Sequence, residues 1–164
     1  MKKYPAVLLM FGLMLLLIFS CREEECDQTL RTNAVFSFLT IQPEGPVDTA
    51  LPVLTVYGET RKDSLLYDSA STIEQVSLPL DPSRDYSRFV FQTDSLSDTV
   101  ELTYNRHQKF LSHECGFITE YEIQQAATTN HHFDSIAIVK PQVNINDNET
   151  HINIYLSPAD TTGN

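Results

Sequence analysis

Residues 88–104, RFVFQTDSLSDTVELTY, are the part of the sequence that decides the fold. Phe89 and Phe91 fall on the same face of an extended segment. Residues 94–98 (DSLSD) have the composition of a turn. Residues 99–104 then alternate polar and apolar side chains without a break. Because such alternation is typical of a strand with one buried face, the stretch predicts a β-hairpin.

Short segments of the same kind lie on both sides of this hairpin. Residues 33–41 and 52–58 precede it, and residues 116–123 and 150–156 follow it. Turn-forming residues separate these segments, and no window beyond the N-terminal segment has a helical period. The sequence therefore predicts an all-β fold, a single antiparallel β-sandwich (Ig-like) of about eight or nine strands. A closed barrel is the alternative.

Two polar stretches are expected to interrupt the strands. Residues 105–109 (NRHQK) are interpreted as a bend, after which Phe110 and Leu111 restart a strand. Residues 124–132 are interpreted as a loop, in which residues 124–127 could form one helical turn.

The N-terminus has the pattern of a signal peptide. Lys2 and Lys3 precede an apolar run from residue 6 to residue 19, which is 19 − 5 = 14 residues long. A membrane-spanning helix needs roughly 20 apolar residues, whereas the apolar part of a signal peptide needs about 7–15. Residues 1–20 are therefore predicted to be an N-terminal signal-peptide helix.

The end of this segment resembles the bacterial lipobox. An aliphatic residue, Ile18, and a small residue, Ser20, precede Cys21. The resemblance implies cleavage before Cys21 and lipidation (palmitate) of its thiol and new amine, so that the protein would contact the membrane through lipid on Cys21. The alternative is an ordinary secretory signal with a chance cysteine. One acyl chain binds a membrane only marginally, but two or more give stable anchoring.

Glu23, Glu24 and Glu25 follow the lipobox cysteine and resemble the surface-export signal of Bacteroidetes-type lipoproteins. The sequence therefore predicts an outer-membrane lipoprotein exposed on the cell surface, with the periplasmic face of that membrane as the alternative. A solvated linker is the other interpretation of the acidic run. The predicted segments are listed from the N-terminus: signal peptide 1–20, lipidated tether 21–32, β-sandwich 33–157 and polar tail 158–164.

Composition limits the choice of partners. Without residues 1–20 the chain has 164 − 20 = 144 residues, and its formal charge is 9 − 22 = −13 once Lys2 and Lys3 are removed. A charge of this sign argues against binding to nucleic acid and against electrostatic attraction to anionic lipid.

Cysteine usage predicts one disulfide. With Cys21 lipidated, Cys26 and Cys115 remain, separated by 115 − 26 = 89 residues. Two cysteines in an oxidising envelope favour a disulfide. Two free thiols or a metal pair are the alternatives, although zinc normally requires four ligands.

Several stretches together resemble an uncharacterised family of small Bacteroidetes-type lipoproteins (a domain of unknown function). They are the signal with its cysteine, residues 98–104 (DTVELTY), residues 110–117 (FLSHECGF) and residues 151–154 (HINI). The resemblance implies an envelope location and no known activity.

Histidines and acidic turns are the candidates for a metal site. The histidines are His107, His113, His131, His132 and His151. The acidic turns contain Asp81 and Asp85 in one case, and Asn144, Asn146, Asp147, Asn148 and Glu149 in the other. Neighbouring histidines on a strand face opposite ways, and neither turn has the spacing or the glycine of an EF-hand loop. The sequence predicts no metal site and no cofactor.

No motif predicts catalysis. The chain lacks G-x-S-x-G, and no catalytic residue is assigned. The leading hypothesis is a non-enzymatic lipoprotein that binds another envelope protein or supports an envelope assembly. The alternative is a surface module that binds glycan or Ca²⁺, and a small hydrolase is a third hypothesis. The aromatic residues expected near loops or edges, where a glycan or peptide could bind, are Tyr57, Tyr67, Tyr86 and Phe133.

Overall fold

The computed structural model describes Cys26, residues 30–94 and residues 96–156. The predicted signal-peptide helix and the predicted polar tail lie outside the described residues.

The described part of the chain contains eleven strands, and the two longest have 17 and 13 residues. In chain order they are β1 (Asn33–Gln42), β2 (Gly45–Asp48), β3 (Leu51–Gly58), β4 (Leu65–Ile73), β5 (Gln75–Pro79), β6 (Tyr86–Thr93), β7 (Leu96–Ser112), β8 (Gly116–Thr128), β9 (Phe133–Ile138), β10 (Gln142–Val143) and β11 (Ile152–Leu156).

These strands form two sheets that pack as a β-sandwich. The first sheet has the order β2-β1-β11-β9, and β5 also pairs with β1. The second has the order β10-β8-β7-β6-β3-β4. All pairs are antiparallel except β1 with β11, which are parallel and place Phe38 opposite Ile154. The all-β prediction is confirmed. The estimate of eight or nine strands is too low, since very short strands such as β2 and β10 have no periodicity to detect.

Aromatic side chains from both sheets fill the centre of the sandwich. The central rings are those of Phe36, Phe38, Phe91 and Phe133, all at most 1% exposed. Phe91 lies 5.8 Å from Phe36 and 5.6 Å from Phe133 between ring centroids, in edge-to-face geometry. Such pairs add stability beyond the area that they bury. The buried face of the predicted hairpin, Phe89 and Phe91, therefore becomes one wall of the core.

Strands β7 and β8 form one long hairpin, and both predicted interruptions of the strands are wrong. Residues 105–109 remain in β7 and pair with residues 118–122 of β8, and β8 continues to Thr128 where a loop or helical turn was expected. From Asn105 to Phe110 the side chains of β7 are exposed. The stretch is polar because this part of the hairpin lies beyond the core, and the backbone hydrogen bonds between the two strands keep it extended.

Candidate functional site

The Cys26–Cys115 disulfide joins the N-terminal segment to the far end of this hairpin. The two Cα atoms lie 5.2 Å apart, inside the roughly 4.4–6.8 Å that a disulfide requires. The pairing matches the prediction from compartment and cysteine count. Cys115 lies in the turn between β7 and β8. The bond therefore fixes the end of a hairpin beside the chain that leads to Cys21.

Aromatic side chains are exposed at this end of the hairpin, residues 110–117, which we call the hairpin tip. Phe110 and Phe117 are opposite each other in the β7–β8 register, with ring centroids 5.2 Å apart. The His113 ring lies 5.6 Å from that of Phe110. Phe110 is 50% exposed and Phe117 is 67% exposed. These rings contact one another but remain largely in solvent.

A groove beside the tip has two lobes. The larger lobe, of about 740 Å³, is lined by Leu30, Leu66, Tyr67, Leu80, Phe117 and Tyr121, among others. Its lining joins the start of the folded domain to β4, β5 and β8. Because mostly apolar and aromatic side chains line it, this lobe suits an apolar or aromatic ligand group.

The smaller lobe, of about 410 Å³, is richer in charge. Its lining includes Glu59, Arg61, Asp81, Arg84, Tyr86 and Arg88. The guanidinium carbons of Arg84 and Arg88 lie 5.8 Å and 5.2 Å from the Tyr86 ring centroid. Arg88 also pairs with Glu101 and, at 3.4 Å, with Glu59. The lobe thus combines an aromatic ring with three of the nine cationic side chains that follow residue 20.

Residues 80–82 form a wall that the two lobes share, since Leu80 and Pro82 line both, and two buried tyrosines hold this backbone segment. The Tyr121 hydroxyl donates to the Leu80 carbonyl at 3.2 Å. The Tyr104 hydroxyl accepts from the Asp81 N–H at 3.0 Å and lies 2.7 Å from the Ser87 hydroxyl. Burial raises the pKa of Tyr121 to about 12, so its phenol keeps the proton that it donates. The wall between the lobes is therefore fixed.

The five histidines do not converge. His107 lies near Glu122, at 3.9 Å, and His113 is in the hairpin tip. His131 and His132 follow β8 in a short loop, and His151 is buried before β11. Among the described residues, no three or more His, Cys, Asp or Glu side chains are grouped so that they could hold a metal ion.

The acidic turns pair with cations of the chain itself. Lys140 donates to Asp147 and, at 3.0 Å, to Glu149, and these hydrogen bonds raise its pKa. Asn146 instead accepts from the Arg31 N–H. Lys140 thus takes the position among these carboxylates that a Ca²⁺ ion would need.

The other acidic turn is arranged in the same way. Asp81 accepts from both the N–H and the hydroxyl of Ser83, which lowers the pKa of Asp81. Arg106 donates to Asp85 at 2.7 Å. The oxygens of this turn stabilise the turn and face the chain's own cations.

Asp98 is the buried polar residue whose role the sequence did not indicate. It was assigned to a turn, but it lies in β7 and is 1% exposed. Its carboxylate accepts from the N–H groups of His131, His132 and Phe133 and from the Thr129 hydroxyl, at 2.6–2.9 Å. Burial acts to raise its pKa, but these hydrogen bonds outweigh burial and lower it. Asp98 therefore holds the loop between β8 and β9.

His151 has a comparable structural role. It is fully buried, and its Nδ1 accepts from the Val35 N–H at 3.1 Å. Its Nε2 lies 3.6 Å from Asp147. Burial lowers the pKa of His151, so the neutral ring is favoured. No local pattern in residues 150–156 distinguishes this histidine from an exposed one, since its partner is 116 residues away.

Of the four aromatic candidates, two line the groove, one is in the core, and Tyr57 is partly buried in β3 outside both lobes. Tyr86 is 37% exposed and lines the smaller lobe. Tyr67 lines the larger lobe, where its hydroxyl accepts from the Ser77 N–H. Phe133 is a core residue at 1% exposure, so its assignment to an exposed edge is wrong. Phe110 and Phe117, which sequence reasoning placed within strands, are the exposed pair.

The remaining predicted site residues, Cys21, Glu23, Glu24 and Glu25, lie outside the described residues. Within the part of the chain that the structure describes, no helix is long and apolar enough to cross a membrane.

Comparison with known proteins gives one family. A model described as a family of unknown function, DUF6452, matches residues 53–156, which is more than half of the chain, and the chain belongs to this family. The match includes Asp98, the three groove tyrosines Tyr67, Tyr86 and Tyr121, and Cys115, but it begins after β1 and Cys26. No curated protein matches the chain. No solved structure matches it.

Proposed function

We propose that this DUF6452 protein is an outer-membrane lipoprotein, anchored through Cys21, whose β-sandwich is a non-enzymatic binding or structural module of the cell envelope. The observation that carries the proposal is the disulfide between Cys26 and Cys115. It attaches the end of the domain with the groove and the exposed rings to a residue five positions after the proposed lipidated cysteine. A surface suited to contacts thus lies next to the proposed anchor.

The roles of the polar side chains support a module without catalysis. Asp98 and His151 are buried and hold backbone N–H groups. Asp81 and Asp147 are engaged by Ser83 and Lys140. A catalytic acid, base or nucleophile must reach a substrate. In these four residues the reactive atoms face other parts of the fold.

Anchoring is tested by Cys21→Ala. Without the thiol, lipid cannot be attached, so the variant should lose palmitate labelling and leave the membrane fraction. Labelling of the expressed protein and fractionation of membranes after a high-salt wash measure this. Cys26→Ser is the matched control, which should keep both label and membrane retention. Retention of Cys21→Ala after the wash would disprove the lipid anchor.

Surface exposure is a separate part of the proposal. Replacement of Glu23, Glu24 and Glu25 by alanine should keep the lipid but reduce cleavage by protease added to intact cells. Equal cleavage of wild type and variant would remove the export role of the acidic run and leave the anchor intact.

Partner binding is tested by crosslinking in membranes followed by affinity purification. Recovery of no specific envelope protein would count against the module.

Glycan binding is the second candidate, and the smaller lobe favours it. The exposed ring of Tyr86 offers an aromatic surface to a sugar. Arg88 is already paired with Glu59 and Glu101, but Arg84 beside the ring provides hydrogen-bond donors for a carboxylate or phosphate. An acidic glycan therefore fits better than a neutral one. A glycan array with wild type and Tyr86→Ala tests this, with Tyr57→Ala as the control outside the lobe. Binding that survives Tyr86→Ala would remove the lobe from consideration.

A further inference from the structure

We propose that the hairpin tip, through Phe110 and Phe117, docks onto the boundary between headgroups and acyl chains of the membrane that holds the anchor. The proposal rests on the lipidation of Cys21 proposed above. It adds a second contact between protein and bilayer, made by side chains of the folded domain, and so assigns an orientation to the sandwich.

The first argument is exposure. Phe117 is the most exposed large apolar side chain in the described part of the chain, and its cross-strand neighbour Phe110 is half exposed. A pair of phenylalanines kept in water at the end of a projecting hairpin has no role in the core. Exposed apolar groups that are gathered in this way mark a contact surface, and aromatic side chains of peripheral proteins enter the headgroup–acyl boundary.

The second argument is covalent distance. Five residue steps separate Cys21 from Cys26, and a fully extended chain covers at most about 3.6 Å per residue, or roughly 18 Å. The Cα of Cys26 is 5.2 Å from that of Cys115, which lies within the tip. The Cα of Cys115 therefore stays within about 23 Å of the Cα of Cys21. No conformation of the tether moves Cys115 further from the proposed lipidated residue than this.

The third argument is the shape of the hairpin. β7 has 17 residues, so its two ends are roughly 55 Å apart at about 3.3 Å per residue. Leu96 begins the strand at the opposite end from the tip and is also an exposed apolar residue, at 44%. Since the disulfide holds only one end of β7 near the anchor, Phe117 and Leu96 differ in how far they can lie from Cys21, although both are exposed.

The fourth argument is charge. The chain carries a formal charge of −11, which opposes contact with anionic lipid. The tip, residues 110–117, contains one anion, Glu114, and no Lys or Arg, and the nearest cation is the flanking Lys109. Lys109 also donates to Glu120 at 2.9 Å. The tip is thus an aromatic surface with a single charge on an acidic protein, and an uncharged lipid surface is the occupant that its position next to the anchor favours.

The chain contains no tryptophan, which allows single-tryptophan reporters. Phe117→Trp places the probe in the tip, and Leu96→Trp is the matched control at the other end of β7. Both proteins are purified in the full, lipidated form. They are reconstituted into zwitterionic vesicles of phosphatidylethanolamine and phosphatidylcholine, with brominated or unbrominated acyl chains, so that no lipid charge repels the acidic protein. The Phe117→Trp emission should be blue-shifted and strongly quenched by the brominated lipid, whereas Leu96→Trp emission should be the same in both vesicles.

Phe110→Trp provides a second reporter should Phe117→Trp fail to fold, and quenching is expected there too. Three outcomes oppose the proposal in different ways. If the protein floats with the vesicles but the tip probe is not quenched, the anchor is present and the docking proposal is wrong. This is the result expected of a tip that binds a protein instead. Equal quenching of both probes shows a domain lying flat, which also overturns it. Protein that does not float at all removes the lipid anchor, and the docking with it.

Discussion

The two ends of β7 place their side chains in different environments, one buried and one exposed to solvent. Near its start, Asp98 is buried and accepts four hydrogen bonds from the loop between β8 and β9. At its end, Phe110 and its neighbour Phe117 are exposed, and a disulfide rather than packing holds the turn. We call these the Asp98 end and the tether end of the molecule.

This difference in burial indicates which end of the molecule can offer a contact surface. At the Asp98 end, a residue type associated with catalysis and metal binding has a structural role, because three backbone N–H groups and a hydroxyl donate to its carboxylate. Buried polar groups require such partners. At the tether end, groups that a fold would normally bury remain accessible. Function is therefore expected at the tether end, and the following predictions test this contrast.

The largest effect is expected from Cys115→Ser at the tether end. In the chain-entropy model, a disulfide that closes a loop of 89 residues stabilises by roughly 4–5 kcal/mol. The variant should melt at a lower temperature than the wild type, and reductant should lower the wild-type melting temperature in the same way. Reductant should have no effect on Cys115→Ser, which serves as the control. A wild-type melting curve that is indifferent to reductant would mean that the tether end does not depend on the bond.

The next effect is expected from Asp98→Asn at the other end. The amide NH₂ would face N–H donors, so at least one of the hydrogen bonds from His132 and Phe133 is lost and a buried donor is left without an acceptor. This costs roughly 2–4 kcal/mol of unfolding free energy, since hydrogen bonds to charged groups are the stronger class. Chemical denaturation measures it. Asp94→Asn, in the exposed turn nearby, should change the free energy by less than about 0.5 kcal/mol.

Acid gives an independent test of the same residue. The folded pKa of Asp98 is below the unfolded value near 3.8, so its contribution is present above that value and is lost as the pH falls through the folded pKa. The wild type should therefore lose more stability than Asp98→Asn between neutral and strongly acidic pH. Equal losses would show that the carboxylate is not held in its charged form.

The local sequence predicted the strands of the two sheets. It did not predict how the two ends of β7 differ. The alternation in residues 99–104 and the phenylalanines of β6 predict strands because side-chain direction in a strand depends only on neighbouring residues. Asp98 was assigned to a turn because DSLSD has turn composition. Its true environment depends on backbone groups 33–35 residues away. Only the assembled sheets bring those groups to it.

The tether end was predictable in one respect only. The pairing of Cys26 with Cys115 follows from the number of cysteines and the expected compartment. The exposure of Phe110 and Phe117 does not, because an apolar residue in a strand is normally assigned to the core. The polar residues 105–109 contained the useful signal. A strand that is polar on both faces lies outside a core, so apolar residues beyond it are exposed as well.

A smaller effect is expected from Tyr121→Phe, which changes the wall between the lobes. Loss of the hydrogen bond to the Leu80 carbonyl should lower the unfolding free energy by about 1 kcal/mol at neutral pH. Burial raises the folded pKa of Tyr121 to about 12 from 10.0, so its contribution is present below pH 10 and is lost as the pH rises to about 12. The wild type should lose more stability than the variant over that interval, measured by denaturation at several pH values. A parallel decline would show that Tyr121 ionises as freely in the folded protein.

The smallest effect on stability is expected from Phe117→Ser. A small effect would show that the fold does not need this ring. The ring is 67% exposed and contacts Phe110 rather than the core, so its removal should change the unfolding free energy by less than about 0.5 kcal/mol. Phe133→Ala is the matched buried control and should cost roughly 3–5 kcal/mol. A side chain that the fold does not need, held beside a proposed anchor by a disulfide, is best explained by an external contact. A loss above about 1 kcal/mol in Phe117→Ser would instead show that the tip stabilises the sandwich, and the two ends of β7 would no longer differ in kind.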